Sequence, residues 1–317
     1  MPLFPFRGKK KASADRLGMS CSGDDCVLAQ LRPGADGGVG LARVASVPAA
    51  DLAGLCEAQK LRDAPLNEVL PAGQVNLQLL EAPPVEAQEM REAVRWKIKD
   101  LLEYDVEQAV VDVFPLPAED GRPKEVYAVY AHEDQVRQCV DLAESAGLNL
   151  RSIDIPELAQ RNIAARLPED ETGVALLSLQ EAGGLLTLTR QGCLYLARDL
   201  DTGYRQLAQA ATAPPAGEGG LSLGGMPEET LESLVLEIQR SLDYYESHFR
   251  RPPIKHLVIA PMPVPLPQLT EQIEQTLGLK ARLLDLGEVI ALPAEVDAAR
   301  QAESFFAIGA ALREDGE

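Results

Sequence analysis

Short apolar runs broken by Gly, Asp and Pro dominate the chain, and their spacing separates strands from helices. The clearest block is residues 174 to 203, where the runs Val174 to Leu179 and Leu185 to Thr189 flank Glu181-Ala182-Gly183-Gly184. A third run, Cys193 to Arg198, follows Gln191-Gly192. Apolar, β-branched runs of this length around Gly-rich breaks predict a three-stranded meander. Near the N-terminus Leu17 to Cys21, Cys26 to Leu31 and Gly40 to Val47 predict a second one, broken at Ser22-Gly23-Asp24-Asp25 and between Pro33 and Gly38.

Elsewhere the period is helical. A helix is expected from about Ala50 to Ala64, then a strand at Gln74 to Leu80. Residues 84 to 150 read as helix, strand, strand, helix, strand. The first helix, Val85 to Glu103, carries Met90, Val94, Ile98 and Leu101 on one stripe, and the second, Glu133 to Ala146, stops at Gly147, suited to a helix C-terminus. The two strands are Ala109 to Leu116 and Glu125 to His132, and Leu148 to Ile155 closes the module. A short helix, Pro156 to Arg166, leads to the second meander. Beyond a Pro- and Gly-rich loop come the amphipathic helix Pro227 to Arg250, strand Ile254 to Ala260, helix Leu266 to Leu277, strand Lys280 to Leu284 and helix Ala298 to Arg313. Two meanders, each continued by helices and later strands, predict a two-lobed α/β chain with an internal duplication. The expected bounds are a tail at 1–16; a first lobe at 17–74, 154–168 and 299–317; an inserted α+β subdomain at 75–153; and a second lobe at 169–298 with a mobile loop at 212–226.

Composition narrows the function. With 46% hydrophobic residues in 317 the chain can build real cores, and a formal charge of −19 argues against nucleic acid as a partner. The first eleven residues are the exception: Phe4 and Phe6 stand beside Arg7, Lys9, Lys10 and Lys11 with no acid. Such a tail suits an anionic bilayer surface, where each basic residue contributes about 1 kcal/mol. Its apolar part precedes the charges and is too short for a signal peptide, and no apolar stretch is long enough to span a membrane, so a cytoplasmic place is expected. Five scattered cysteines then point to reduced thiols; the one close pair, Cys21 and Cys26, has no histidine nearby and is not expected to hold metal. His132, His248 and His256 lie outside any nucleophile motif, so no catalytic residue is assigned and no enzyme activity is expected.

Several stretches together resemble the actin-like, PilM-type cytoplasmic proteins of type IV pilus assembly, MSHA-type pili in particular. They are Ala93-Val94-Arg95-Trp96-Lys97-Ile98-Lys99-Asp100-Leu101-Leu102 with Ala109-Val110-Val111-Asp112-Val113-Phe114; Ser152-Ile153-Asp154-Ile155-Pro156-Glu157; Arg240-Ser241-Leu242-Asp243-Tyr244-Tyr245; and Phe306-Ala307-Ile308-Gly309-Ala310-Ala311-Leu312-Arg313. The resemblance implies an actin-like core with an inserted subdomain, and a cytosolic partner for the short N-terminal tail of a PilN-like inner-membrane protein. It also implies where a nucleotide would sit. Members that bind ATP carry Asp-x-Gly in the first strand of each lobe; the matching places here are Ser20 and Ser22, and Ser178 and Gln180. The Gly-Gly on the adenosine side falls on Ala260 and Pro261. All three elements are degenerate, so no cofactor is expected and the chain reads as a pseudo-ATPase scaffold. Two alternatives stay open: an ATPase in which Asp24, Asp25 or Glu181 replaces the lost acids, and a scaffold of type II secretion.

Trp96, the one tryptophan, follows Val94 by about 200° of helical rotation and so points away from the apolar stripe. It shares that side with Glu92, Lys99 and Glu103, within the basic run Arg91, Arg95, Lys97 and Lys99. An outward aromatic among mixed charge has the composition of a binding hot spot. Trp96, Arg95, Lys99 and Glu103 are therefore the candidate partner site, expected near the junction of the insertion with the first lobe.

Overall fold

The computed structural model describes residues 15–34, 38–117, 121, 123–212, 228–266 and 268–314. The tail residues Phe4, Phe6, Arg7, Lys9, Lys10 and Lys11 and nearly all of the expected loop lie outside them.

Both meanders form. In the first lobe β1 (Arg16–Ser22), β2 (Asp25–Pro33) and β3 (Val39–Pro48) run antiparallel, α1 (Leu52–Ala58) follows, and β4 (Pro65–Val69) pairs parallel to β1. The expected helix to Ala64 stops at Ala58 because Lys60 and Asp63 adopt left-handed φ angles of 57° and 58°. That early stop releases Pro65–Val69 to become the unpredicted strand beside β1.

The insertion holds β5 (Asn76–Glu81), α2 (Met90–Lys97), β6 (Ala109–Pro115), β7 (Glu125–His132) and α3 (Glu133–Ser145), with the sheet order β5-β7-β6. The helix predicted over 85–103 shrinks to α2 and a following 3-10 turn, Lys99–Leu101. The strand expected to close the module, β8 (Asn149–Asp154), instead pairs with β4, giving a first-lobe sheet of order β3-β2-β1-β4-β8.

After α4 (Pro156–Ala164), the second lobe repeats the plan with β9 (Val174–Leu179), β10 (Gly184–Arg190) and β11 (Cys193–Leu200). Then come α5 (Tyr204–Thr212), absent from the sequence reading, α6 (Glu228–Phe249), β12 (His256–Ile259), α7 (Leu269–Leu277) and β13 (Lys280–Leu283), in a sheet of order β11-β10-β9-β12-β13. The chain returns to the first lobe through α8 (Ala298–Ala311).

Two helices join the lobes. α8 lies on β1 at Gly18, where an added Cβ would run into the Ala307 carbonyl, and it meets α4 at Gly309, where a Cβ would strike the Ala159 carbonyl. From α4, Gln160 reaches into the second lobe, its amide donating to the Leu176 carbonyl at 2.7 Å and to Thr187 Oγ1 at 2.9 Å. One apolar core spans both lobes, with Leu31 and Ala29 on one side, Leu176 and Val258 on the other, and Phe305 and Ile308 between. A backbone bridge adds to it: Leu41 N donates to Ala291 O at 2.8 Å and Ala291 N to Val39 O at 3.0 Å.

The insertion's sheet has two unlike faces. Val94 and Ile98 of α2 pack on Val111, Val126, Ala128 and Tyr130 on one. The other turns inward, with Ala131 against Cys139 of α3, and Leu79 and Leu116 against the second lobe's core. There the Tyr127 hydroxyl donates to the Tyr195 carbonyl at 2.8 Å, which satisfies the outer edge of β11, and His248 Nε2 lies 2.8 Å from Glu125 Oε1.

The cysteines correct one expectation. Cys21 and Cys26 face each other directly across β1 and β2 and are joined as a disulfide that leaves out Cys56, Cys139 and Cys193. The one close pair in the sequence is thus bonded and not reduced; the hairpin turn at Gly23, with φ 58°, brings the two together.

Candidate functional site

Two depressions flank the start of α4. The larger, 810 Å³, is the interlobe cleft, and it gathers Ser20 and Ser22 from the first hairpin, Ser178 and Gln180 from the second, and Ala260 and Pro261 beyond β12. All six degenerate positions thus meet in one place. Ser20 is half-buried, Ser22 and Gln180 are exposed, and Ser178 is 4% exposed with a hydroxyl that has no hydrogen-bond partner. The second hairpin closes tightly, Gln180 N donating to Gly183 O at 2.7 Å. Ala260 and Pro261 are buried, so a methyl group and a pyrrolidine ring fill the backbone approach that paired glycines would leave open.

The charge of the lining is informative. Asp25, Glu181 and Glu303 border the cleft, and among the described residues that line it there is no Lys, Arg or His. Glu181 pairs with Arg205, and Glu303 with Arg300 at 2.5 Å, both cations standing outside the lining. A triphosphate entering here would meet acids and hydroxyls with no cation to neutralise it, and would depend entirely on a metal ion. Among the described residues no group of three His, Cys, Asp or Glu side chains is placed to hold one.

The second depression, 460 Å³, lies where three bodies converge: Asp112 to Pro115 of the insertion, Ile153 to Leu158 with Arg161 of the first lobe and its hinge, and Gln191 to Leu194 of the second lobe. α4 is the wall between the two, with Pro156 facing the cleft and Ile155 and Leu158 facing the groove. On the insertion side the wall is β6, an edge strand that no further strand pairs with, though Val113 N donates to Asp112 Oδ1 at 2.9 Å. Phe114 supplies an aromatic face, its ring 5.3 Å from that of Tyr127, and Val110 of the same strand is 41% exposed. The floor is charged. Asp154 is fully buried, accepts from Ile155 N at 3.0 Å and pairs with Arg313 at 3.1 Å. Burial pushes its carboxyl up, while the Arg313 guanidinium pulls it down. Arg161 adds a second cation, which donates to the Gly192 carbonyl.

Buried acids lie near the same wall. Glu157, in the first turn of α4, and Glu68, on β4, are both raised to about 7, in each case chiefly by burial.

Trp96 stands elsewhere. It is 52% exposed on the outer side of α2, its indole N–H donating to Glu92 Oε1 at 2.9 Å and Lys99 Nζ lying 5.6 Å from its ring. Arg95 is 3.6 Å from Glu92 Oε2, and Glu103 is exposed beyond the 3-10 turn. The outward direction agrees with the helical rotation, but the expected place at the junction with the first lobe is not where α2 lies. α2 covers the sheet face opposite α3 and the lobes, because its Val94 and Ile98 take the side of Val126 and Ala128 whereas Tyr127 and Ala131 turn inward. A link to the groove remains at Arg91, which pairs with Asp112 on its rim at 2.8 Å. The groove itself had a faint signal in the sequence, the unusual Asp154 beside Pro156, but Arg313 lies too far along the chain to be connected with it by eye.

No protein-family model matches the sequence, and no curated protein matches it. Among solved structures, a chain of a PilM-PilN type IV pilus biogenesis complex is similar over 94% of this chain and 98% of its own, at 20% identity and a TM-score of 0.71. The cytoplasmic domain of EpsL, an inner-membrane component of the type II secretion system of Vibrio cholerae, matches over 92% and 94% at 12% identity with a TM-score of 0.46. A protein of Bacteroides thetaiotaomicron with an actin-like ATPase fold and unknown function matches over 92% and 96% at 10% identity with a TM-score of 0.49. The chain has the two-lobed actin-like fold with a small α+β insertion in its first lobe.

Proposed function

We propose that the protein is a scaffold of a type IV pilus assembly machine that works by binding and carries out no reaction. Its partner is the N-terminal cytosolic tail of a PilN-like inner-membrane protein, which places the scaffold in the cytoplasm at the inner face of the bacterial inner membrane. The observation that carries this reading is the contrast across α4: a cleft lined without a cation on one side, and on the other a groove that combines an open strand edge, an aromatic face and paired charges. An extended peptide laid along β6 would gain main-chain hydrogen bonds from the edge and side-chain contacts from Phe114 and Leu158. The outer face of α2, with Trp96, Arg95, Lys99 and Glu103, extends that surface beyond the Arg91–Asp112 rim. The motif resemblance favours an MSHA-type pilus and a role like that of MshI, and the basic N-terminus adds attraction to anionic lipid.

Titration with synthetic tails of the inner-membrane pilus proteins tests the partner: binding at micromolar concentration that weakens on Phe114→Ala supports the reading, and absence of binding to every such tail sinks it. Tails of type II secretion components serve as the competing arm. Calorimetry with Mg·ATP tests the pseudo-ATPase half. Clear micromolar binding that is lost on Ser178→Ala or Ser20→Ala would replace it with an actin-like ATPase.

A further inference from the structure

We propose that Cys21 and Cys26 form a reversible thiol–disulfide switch at the mouth of the interlobe cleft. The ladder pairs the two residues directly across β1 and β2 with their Cα atoms 4.1 Å apart, so the bond opens or closes without any strand changing register. It encloses the turn Ser22-Gly23-Asp24-Asp25, which lines or borders the cleft, and Asp24 O also accepts from Ala49 N at 2.7 Å.

The two sulfurs are not equivalent. Cys21 is half-exposed and lines the cleft, whereas Cys26 is 1% exposed in the first lobe's core beside Leu28 and Met19. Reagents therefore reach Cys21 first, and Cys26 acts as the resolving thiol. With a hydroperoxide as oxidant, the Cys21 thiolate attacks the terminal peroxide oxygen, the O–O bond breaks, and a sulfenic acid forms as hydroxide or alkoxide leaves. The Cys26 thiol then attacks the Cys21 sulfur: the S–S bond forms, the S–O bond breaks, and water departs with the thiol proton. The sulfur pair has lost two electrons to the peroxide. In reverse, a dithiol reductant of the thioredoxin class attacks the Cys21 sulfur and releases Cys26 as a thiolate that takes up a proton. Its second thiol then frees Cys21 and leaves as a disulfide. Cys56 and Cys139 are poorly suited to compete, since both are buried, and Cys193 lies on β11 of the other lobe.

The resting state rests on the function proposed above. On the reducing side of the membrane the pair stands as a dithiol and the bond reports oxidation, the usual role of a disulfide in that compartment. Oxidised, the hairpin tip is fixed to its own ladder; reduced, it is held by backbone hydrogen bonds alone and a free thiol faces the cleft.

Thiol counting and hydrogen exchange on the full chain test this without any pilus partner, so the result is independent of the scaffold reading. After hydrogen peroxide treatment and denaturation in alkylating reagent, three of the five cysteines should be modified, and all five after incubation of the folded protein with a thioredoxin-class dithiol. Cys21→Ser should leave four modifiable thiols under both treatments. In the reduced form the amides of Ser22 to Asp25 should exchange at least about tenfold faster. Five reactive thiols after peroxide, a bond that resists the dithiol in the folded protein, or equal exchange in the two forms would each overturn the switch.

Discussion

The cleft and the groove lie on either side of one short helix start, and they differ most in how their charges are met. In the cleft the acids Glu181 and Glu303 are answered by Arg205 and Arg300 from outside the lining, and the rest of the surface holds Asp25, amides, hydroxyls and apolar groups. In the groove Asp154 is answered inside by Arg313, and Asp112 on the rim meets Arg91 from outside the lining. Among the described residues the cleft offers hydroxyls but no cationic side chain, whereas the groove combines a buried ion pair with a sheet edge that no further strand covers. The same actin-like frame thus holds two differently lined depressions a few residues apart.

The largest expected effect concerns two buried acids, Glu157 on the wall between them and Glu68 on β4 beside Cys139. Glu68 and Glu157 hold their protons in the folded chain up to about 7, against 4.5 for the ordinary carboxyl. The folded state therefore binds protons more tightly than the unfolded one, so their stabilising effect is full below about pH 4.5 and is lost as pH rises through about 7. Each shift corresponds to about 3 kcal/mol. Denaturant melts from about pH 5 to about pH 8 should show falling stability, and Glu68→Gln with Glu157→Gln should flatten the slope. A flat profile in the unmodified chain would contradict the burial of these acids.

Next comes the groove floor. Arg313→Ala leaves Asp154 buried without its guanidinium and should cost about 3 kcal/mol by thermal melt. The opposite wall offers the comparison: Ser178→Ala removes only an unpartnered hydroxyl and should be neutral or slightly stabilising. If both variants melt alike, the two depressions do not differ as described.

Phe114→Ala should weaken tail binding at least about tenfold, about 1.4 kcal/mol, with Ser178→Ala unchanged in the same titration. Smallest in stability is Trp96→Ala, within about 0.5 kcal/mol, since its side chain is half exposed and bonded only within its own helix. Its effect on tail binding decides whether the outer face of α2 belongs to the docking surface or stands apart from it.

Legibility followed the range of the physics. Both meanders, the long α6 and the last helix were readable because alternation and helical period are local signals. Local breaks misled where they were cryptic: Lys60 and Asp63 adopt left-handed angles that neither residue type announces, so the expected helix was too long and β4, just beyond its expected end, was missed. α5 was overlooked beside the Pro- and Gly-rich loop that follows it. Cys21 and Cys26 stood out as the one close pair, but only strand register shows that they face each other.

The sequence by itself determined the duplicated α/β plan, the presence of Ser20 and Ser178, and the outward direction of Trp96, since each depends on residue identity and local period. Only the tertiary structure decided that the six degenerate positions share one cleft without a cation, that α2 faces away from the lobes, and that Asp154 meets Arg313 under a groove. Those facts depend on contacts between residues more than a hundred positions apart, which packing and strand order create and no local pattern encodes.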